Sequence, residues 1–232
     1  MIQMPPVCLW IGNRYMSQNS EKTISQCARC GSCCMKGGPA LHDEDAGLVE
    51  SGRIPVASLY TIRQGELARD NVSGGLVRVE SEIIKVKSIP GAHTCIYYDD
   101  SLHACRIYDT RPIECRTLEC WDTGKIEKIY SRHRSDRRKL LNAIPWILEL
   151  IETHEDRCSF AEIHRLASLR EKGDPQGAEK LQAMVNEDAQ FRYMLIERGN
   201  IAPDMLDFLV GRPLAETIPL QFGIKIKQAL PD

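Results

Sequence analysis

Hydrophobic positions in this chain follow two different rhythms. From residue 135 onward they recur at helical spacing. Leu140, Leu141, Ile144, Ile147, Leu148 and Ile151 form one such run across Ser135 to Thr153. Pro145 interrupts it and predicts a kink or a break, because proline brings no N–H and collides with the preceding turn. Ser159-Phe-Ala-Glu162 has the form of a capping box ahead of Ile163, Leu166 and Leu169. Asp174-Pro175 pairs an N-cap with a proline at the first helical position, so a helix should run from there to about Arg198, before Gly199. Pro203 opens one more short helix, ending by Gly211. Upstream the pattern is shorter. Asp43 as N-cap and Gly52 as stop predict a helix over 43–51, and Pro55 predicts a second to about Gln64, stopped by Gly65. Apolar/polar alternation at 76–80 and 83–87 predicts two strands joined tightly around Ser81-Glu82. A second hairpin is expected from 95–98 and 104–108 about Asp99-Asp100-Ser101, and Pro112 should open a helical turn carrying Cys115.

These elements predict an α+β fold in three parts. They are an N-terminal arm (1–26), a small cysteine-rich domain of short hairpins and helices (27–124), and a helical C-terminal region (125–232). No internal repeat or low-complexity tract is present.

Charge narrows the partners. Lys plus Arg number 30 and Asp plus Glu 32, so no global field draws the chain to nucleic acid or an anionic surface. The local exception is Arg132-His-Arg-Ser-Asp-Arg137-Arg138-Lys139, which reads as a solvated helix face with too few aromatics around it for base stacking. Nucleic acid is therefore not an expected partner, whereas the helical region could dock a protein. Residues 1–6 carry no positive side chain, and the apolar run 7–11 is too short for a secretory signal. The apolar stretch 143–151, broken by Pro145 and Glu149, is far below spanning length. The expectation is a cytoplasmic protein with no membrane attachment and reduced thiols.

Cysteine placement carries the chemistry. Of ten cysteines, four stand at Cys27-x-x-Cys30-x-x-Cys33-Cys34 and four more at Cys95, Cys105, Cys115 and Cys120. Thiolates this close repel unless a cation or oxidation intervenes, and the adjacent Cys33 and Cys34 do not reach relaxed disulfide geometry. The eight therefore read as metal ligands for zinc or iron, the latter including an iron–sulfur cluster. The first three match the start of a bacterial-type iron–sulfur run, but Cys34 follows Cys33 without the three-residue gap, so a ferredoxin motif is not complete. Cys8 and Cys158 stand apart and read as plain thiols or small core residues. His93 and His103, near Cys95 and Cys105, are less needed as ligands because eight thiols suffice for two tetrahedral sites. His42 reads as a surface residue at a helix start. Walker A, G-x-G-x-x-G, G-x-S-x-G and H-E-x-x-H runs are absent, so the sequence assigns no catalytic residue.

The two runs Cys27-Ala-Arg-Cys30-Gly-Ser-Cys33-Cys34 and Cys105-Arg-Ile-Tyr108-Asp-Thr-Arg111-Pro112-Ile-Glu-Cys115-Arg116-Thr-Leu-Glu-Cys120, with Cys95 upstream of the second, resemble the CxxCxxCC cysteine-cluster family. That family is described as a zinc- or iron-chelating domain and includes YkgJ-like proteins. The resemblance covers about residues 27–124 and implies metal binding. Because members are often named iron–sulfur oxidoreductases, any enzymatic activity would be of that class. Arg111 and Arg116 flank a ligand in the second run and are expected to offset thiolate charge from a second layer. Tyr108 is expected to pack beside the site.

Overall fold

The computed structural model describes residues 8–11, 14–17 and 27–227, with backbone alone at the first two stretches. Most of the arm therefore lies outside the described residues, as does the Cys8 side chain. The elements in chain order begin with β1 (Cys8–Ile11) and β2 (Arg14–Ser17), an antiparallel pair. α1 (Ala46–Glu50) follows a 3-10 turn at Asp43–Asp45, and β3 (Leu59–Ile62), β4 (Leu67–Arg69), β5 (Leu76–Arg78) and β6 (Ile83–Val86) come next. Then come β7 (Tyr98–Asp99), β8 (Ala104–Cys105), α2 (Ile113–Thr117), α3 (Gly124–Ile129) and α4 (Arg137–Leu140). The chain closes on α5 (Pro145–Arg157), α6 (Phe160–Glu171), α7 (Pro175–Glu197), α8 (Leu206–Leu209) and α9 (Leu214–Phe222). This is an α+β protein with short antiparallel hairpins and a helical C-terminal region. Among the described residues no helix is long and apolar enough to cross a membrane.

The chain divides into two compact units, each built from two separate stretches. One holds the described residues up to Leu48 together with Val86–Arg134, and the other holds Val49–Lys85 together with Ser135 onward. The strand-rich segment 49–85 thus folds with the late helices and not with the cysteines beside it in sequence.

Among the described residues the first unit has little apolar core. Its buried side chains are chiefly Ala40, Leu41, Val86, Cys95, Tyr98 and the polar His42 and Asp45. In the second unit Phe160, Ile163, Leu166, Leu181, Val185, Leu214 and Ile218, all at most 1% exposed, form a continuous cluster from α6, α7 and α9. A charged network accompanies it. Arg63, fully buried, grips Glu155 with two parallel bonds of 2.8 and 2.7 Å and gives a third, of 2.7 Å, to the Cys158 carbonyl. Arg137 joins Glu155 to Glu82, at 2.8 and 2.5 Å. Burial opposes a charge on Glu155, yet the two guanidiniums hold its carboxyl down at about 2.

Several expectations change here. The Pro55 helix is only a 3-10 turn at Val56–Ser58, because the β-branched and aromatic run Leu59-Tyr-Thr-Ile62 continues as β3. The strands at 76 and 83 do not pair with each other: β5 pairs with β4 and β6 with β3. Pro145 splits the long helix outright and becomes the first residue of α5. In the basic run, Arg137 is 3% exposed and ion-paired, so only part of that run is a solvated face. Ser159 caps α6 by accepting the Glu162 N–H at 3.3 Å, but Glu162 turns to Arg165 and the reciprocal half of the box is missing. α9, capped by Gly223 at φ 63, went unpredicted. The 98–105 hairpin, the Pro112 turn and the α7 boundaries are as expected.

Candidate metal centre

The first four cysteines sit on irregular backbone. The short spacing in Cys27-x-x-Cys30-x-x-Cys33 demands sharp reversals, and Arg29 and Gly31 supply them at φ 54 and φ 75. A Cβ on Gly31 would lie 2.1 Å from the Tyr98 hydroxyl, so this glycine is also where the Tyr98 ring closes over the loop. The Arg29 N–H donates to the Cys27 sulfur at 3.4 Å, and the Cys30 sulfur is 3.2 Å from the Ser32 hydroxyl. Cys33 and Cys34 then turn into a 3-10 turn, their sulfurs 4.0 Å apart.

The later cysteines reach this corner along three routes. The Cys95 N–H donates to the Cys34 carbonyl at 2.8 Å, which seats Cys95 against the first run. Tyr98 pairs with Cys105 across the β7–β8 ladder. Cys115 rides on α2. All eight cysteines are free thiols.

Five sulfurs form a common electrostatic environment. The Cys33 thiol is drawn down to about 6, first by the hydrogen bond from Cys34 and also by the positive field of Arg111. Cys34 is pushed far up, first as the donor in that bond, then by burial and by the charges of Cys33, Cys115 and Cys105. Burial leads the upward shifts of Cys95 and Cys115, and each also feels Cys33 and Cys105. Cys30 stands with Cys33 and Cys34 beside Tyr98. Cys27 is exposed, and Cys120 is half-buried just beyond α2.

The two arginines separate in role. Arg111 stacks on the Tyr108 ring at 3.6 Å, with Arg29 on the same ring at 4.0 Å. Arg116 is 3.9 Å from the Asp45 carboxylate, half exposed. His103 lies 3.4 Å from the Tyr98 hydroxyl. His42 is not a surface residue: it is 3% exposed, with Nδ1 2.8 Å from the Arg132 carbonyl and Nε2 3.3 Å from Glu114. Sequence reasoning passed over Asp45, a single acid with no motif around it, and Glu114, which stands inside the second cysteine run without a role assigned to it.

A second group of ligand-type side chains lies in the other unit. Among the described residues, His154, Cys158 and Asp188 are the set whose ligand atoms all fall within 4.8 Å of one another. Their chemistry is that of a structural node. Both Asp188 oxygens are already committed, to His154 Nε2 at 2.7 Å and to Arg192 and the Leu214 N–H at 3.0 Å. Burial pushes the Cys158 thiol up to about 12, and Arg63 and Arg192 lend that pocket positive charge. The committed Asp188 oxygens and the neighbouring cations both disfavour a metal ion there. In the cysteine corner the Cys33 and Cys34 sulfurs are 4.0 Å apart, and among the described residues no three of its sulfurs lie within 4.8 Å of one another.

Residues 26–134 match the family CxxCxxCC, described as "Putative zinc- or iron-chelating domain". No curated protein and no solved structure matches the chain.

Proposed function

Taking residues 26–134 as a CxxCxxCC domain, we propose that this protein binds zinc or iron through a cysteine centre and holds it stably, with no assigned reaction. Cys33, Cys34, Cys95, Cys105 and Cys115 form its inner set, and Cys27, Cys30 and Cys120 complete the ligands. One observation carries the reading: free thiols from four separate stretches of chain share one partly buried corner, with Cys95 bonded through its N–H to the Cys34 carbonyl and Cys105 paired with Tyr98. Such a set is costly to ionise alone, and a bound cation removes that cost while releasing the thiol protons. Zinc would be held as a tetrahedral thiolate complex, and iron as a thiolate or iron–sulfur centre.

The test is elemental analysis with acid-labile sulfide on protein purified without oxygen. Zinc or iron without sulfide supports simple chelation. Iron with stoichiometric sulfide gives the iron–sulfur reading instead. Protein that folds and carries neither metal overturns both.

We infer as a second reading an iron–sulfur centre in electron transfer, in which Arg111, stacked on the Tyr108 ring at 3.6 Å, supplies positive charge near Cys33. A cation beside a thiolate ligand raises a cluster's potential. Arg111→Gln should then shift the reduction potential downward without loss of iron. Arg116→Gln, whose charge is directed to Asp45, should shift it less.

A further inference from the structure

The two residues flanking Cys115 both reach to one turn of the chain, and the acid of that turn reaches back. Glu114 accepts the Ala40 N–H at 2.7 Å through one oxygen and lies 3.3 Å from His42 Nε2 through the other. Asp45, fully buried, accepts the Ile113 N–H at 2.9 Å with one oxygen and the His42 N–H at 3.0 Å with the other. Arg116 stands 3.9 Å from the same carboxylate. A carboxylate of each partner thus takes a backbone N–H of the other, across 74 and 68 positions of sequence.

This crossed arrangement has a specific mechanical effect. α2 is only five residues long, too short to hold its own orientation. Asp45 satisfies one of its unpaired N-terminal N–H groups, and Glu114 fixes its rotation about its own axis. Rotation of α2 is the variable that decides where the Cys115 sulfur points. The turn at 40–45 follows within a few residues of Cys34, and the Val86 N–H donates to Pro39 at 3.0 Å, which anchors its start. The turn is therefore a spacer between the Cys33–Cys34 corner and Cys115.

We propose that Asp45 and Glu114 are positioning residues of the metal centre, which preset the placement of Cys115 relative to Cys33 and Cys34 and so govern how slowly metal leaves. The inference rests on the metal-binding reading above. Partners that orient a ligand in this way change metal affinity by about 10-fold or more when removed.

The experiment measures metal release from zinc-loaded full-length protein to a chromophoric chelator, well below the unfolding temperature. Asp45→Ala and Glu114→Ala should each release zinc about 10-fold faster than wild type, with unchanged zinc content at saturation. Glu114→Gln keeps an oxygen for the Ala40 N–H and should fold and stay within about threefold of wild type, whereas Asp45→Asn keeps only one of its two N–H acceptors and should fall between wild type and Asp45→Ala. The double alanine variant should be little faster than either single one, because both act on the same rotation. Leu41→Ala is the control: fully buried in the same turn, it should lower the unfolding temperature but leave release unchanged. Release that simply follows stability, with Leu41→Ala as fast as the others, overturns the inference, as does wild-type release in both alanine variants. A wild-type protein that takes up no metal sinks the metal-binding reading itself, a different outcome.

Discussion

The two units of this protein are held together by different means. The second buries a continuous cluster of leucines, isoleucines and Phe160, with arginines neutralised by a network of shared carboxylates. Among the described residues the first buries few large apolar side chains, and its polar groups tie short segments to one another. Hydrophobic burial scales with area, at about 25 cal/mol per Å². A unit with little apolar area must take its stability from elsewhere, and thiolate–metal bonds are the source its composition offers. The difference leads to an expectation: a second unit that is self-sufficient beside a first unit conditional on a ligand.

The comparison predicts the largest effect for metal removal. Stripping the reduced protein with a chelator should remove on the order of 10 kcal/mol from the first unit. Limited proteolysis should then cut within 27–48 and 86–134, while the helical circular dichroism of the second unit persists. Unchanged protease resistance across both units would show that the first does not depend on metal.

The reciprocal test breaks the second unit alone. Arg63→Ala leaves Glu155 short of a bidentate partner and the Cys158 carbonyl without its donor, a loss of about 3–5 kcal/mol by the usual cost of breaking a buried pair. Thermal unfolding should fall steeply for the helices while bound metal per folded molecule stays at the wild-type value. Loss of metal in step with the helices would mean that the two units are one cooperative block.

A smaller effect is expected at Gly31. Gly31→Ala combines a left-handed backbone with a collision against Tyr98, a strain of about 1–3 kcal/mol. Metal content should drop, and fluorescence should report displacement of Tyr98, with α5–α9 undisturbed.

The smallest effect concerns pH. Burial works against a charge on His42, but its bonds to Glu114 and Arg132 outweigh that and raise its pKa above the ordinary value. A raised folded-state value means stability that is fully present below about 6.5 and is lost as pH rises through the folded value. The first unit should therefore loosen slightly across that range in the wild type but not in His42→Gln, as read by hydrogen exchange at 40–45.

Legibility in the sequence followed the range of the interactions. Helix ends governed by neighbours in sequence were readable: Asp174-Pro175 for α7, Pro112 for α2, Pro203 for the turn before α8. Strand partners were not, because alternation at 76 and 83 says that each is a strand and nothing about its neighbour. The cysteine motif was visible as spacing, and residues 26–134 match the family that the motif suggested. Asp45 and Glu114 were invisible, since their importance comes from bonds across roughly 70 residues that no local pattern encodes.

The alternation of the two units along the chain has a consequence for synthesis. A ribosome delivers the first four cysteines well before Cys95, and 49–85, strands for the other unit, must emerge between them. Those strands then wait for partners after residue 135, so neither unit can finish before the chain has moved on to the other. Cutting the gene at any single point severs a unit: a fragment ending at 134 has all eight clustered cysteines but strands 49–85 without their helices, and its complement has the helices without those strands. Expressing either half alone should yield exposed apolar strand or helix surface and poor solubility, whereas co-expression offers each half the missing partner.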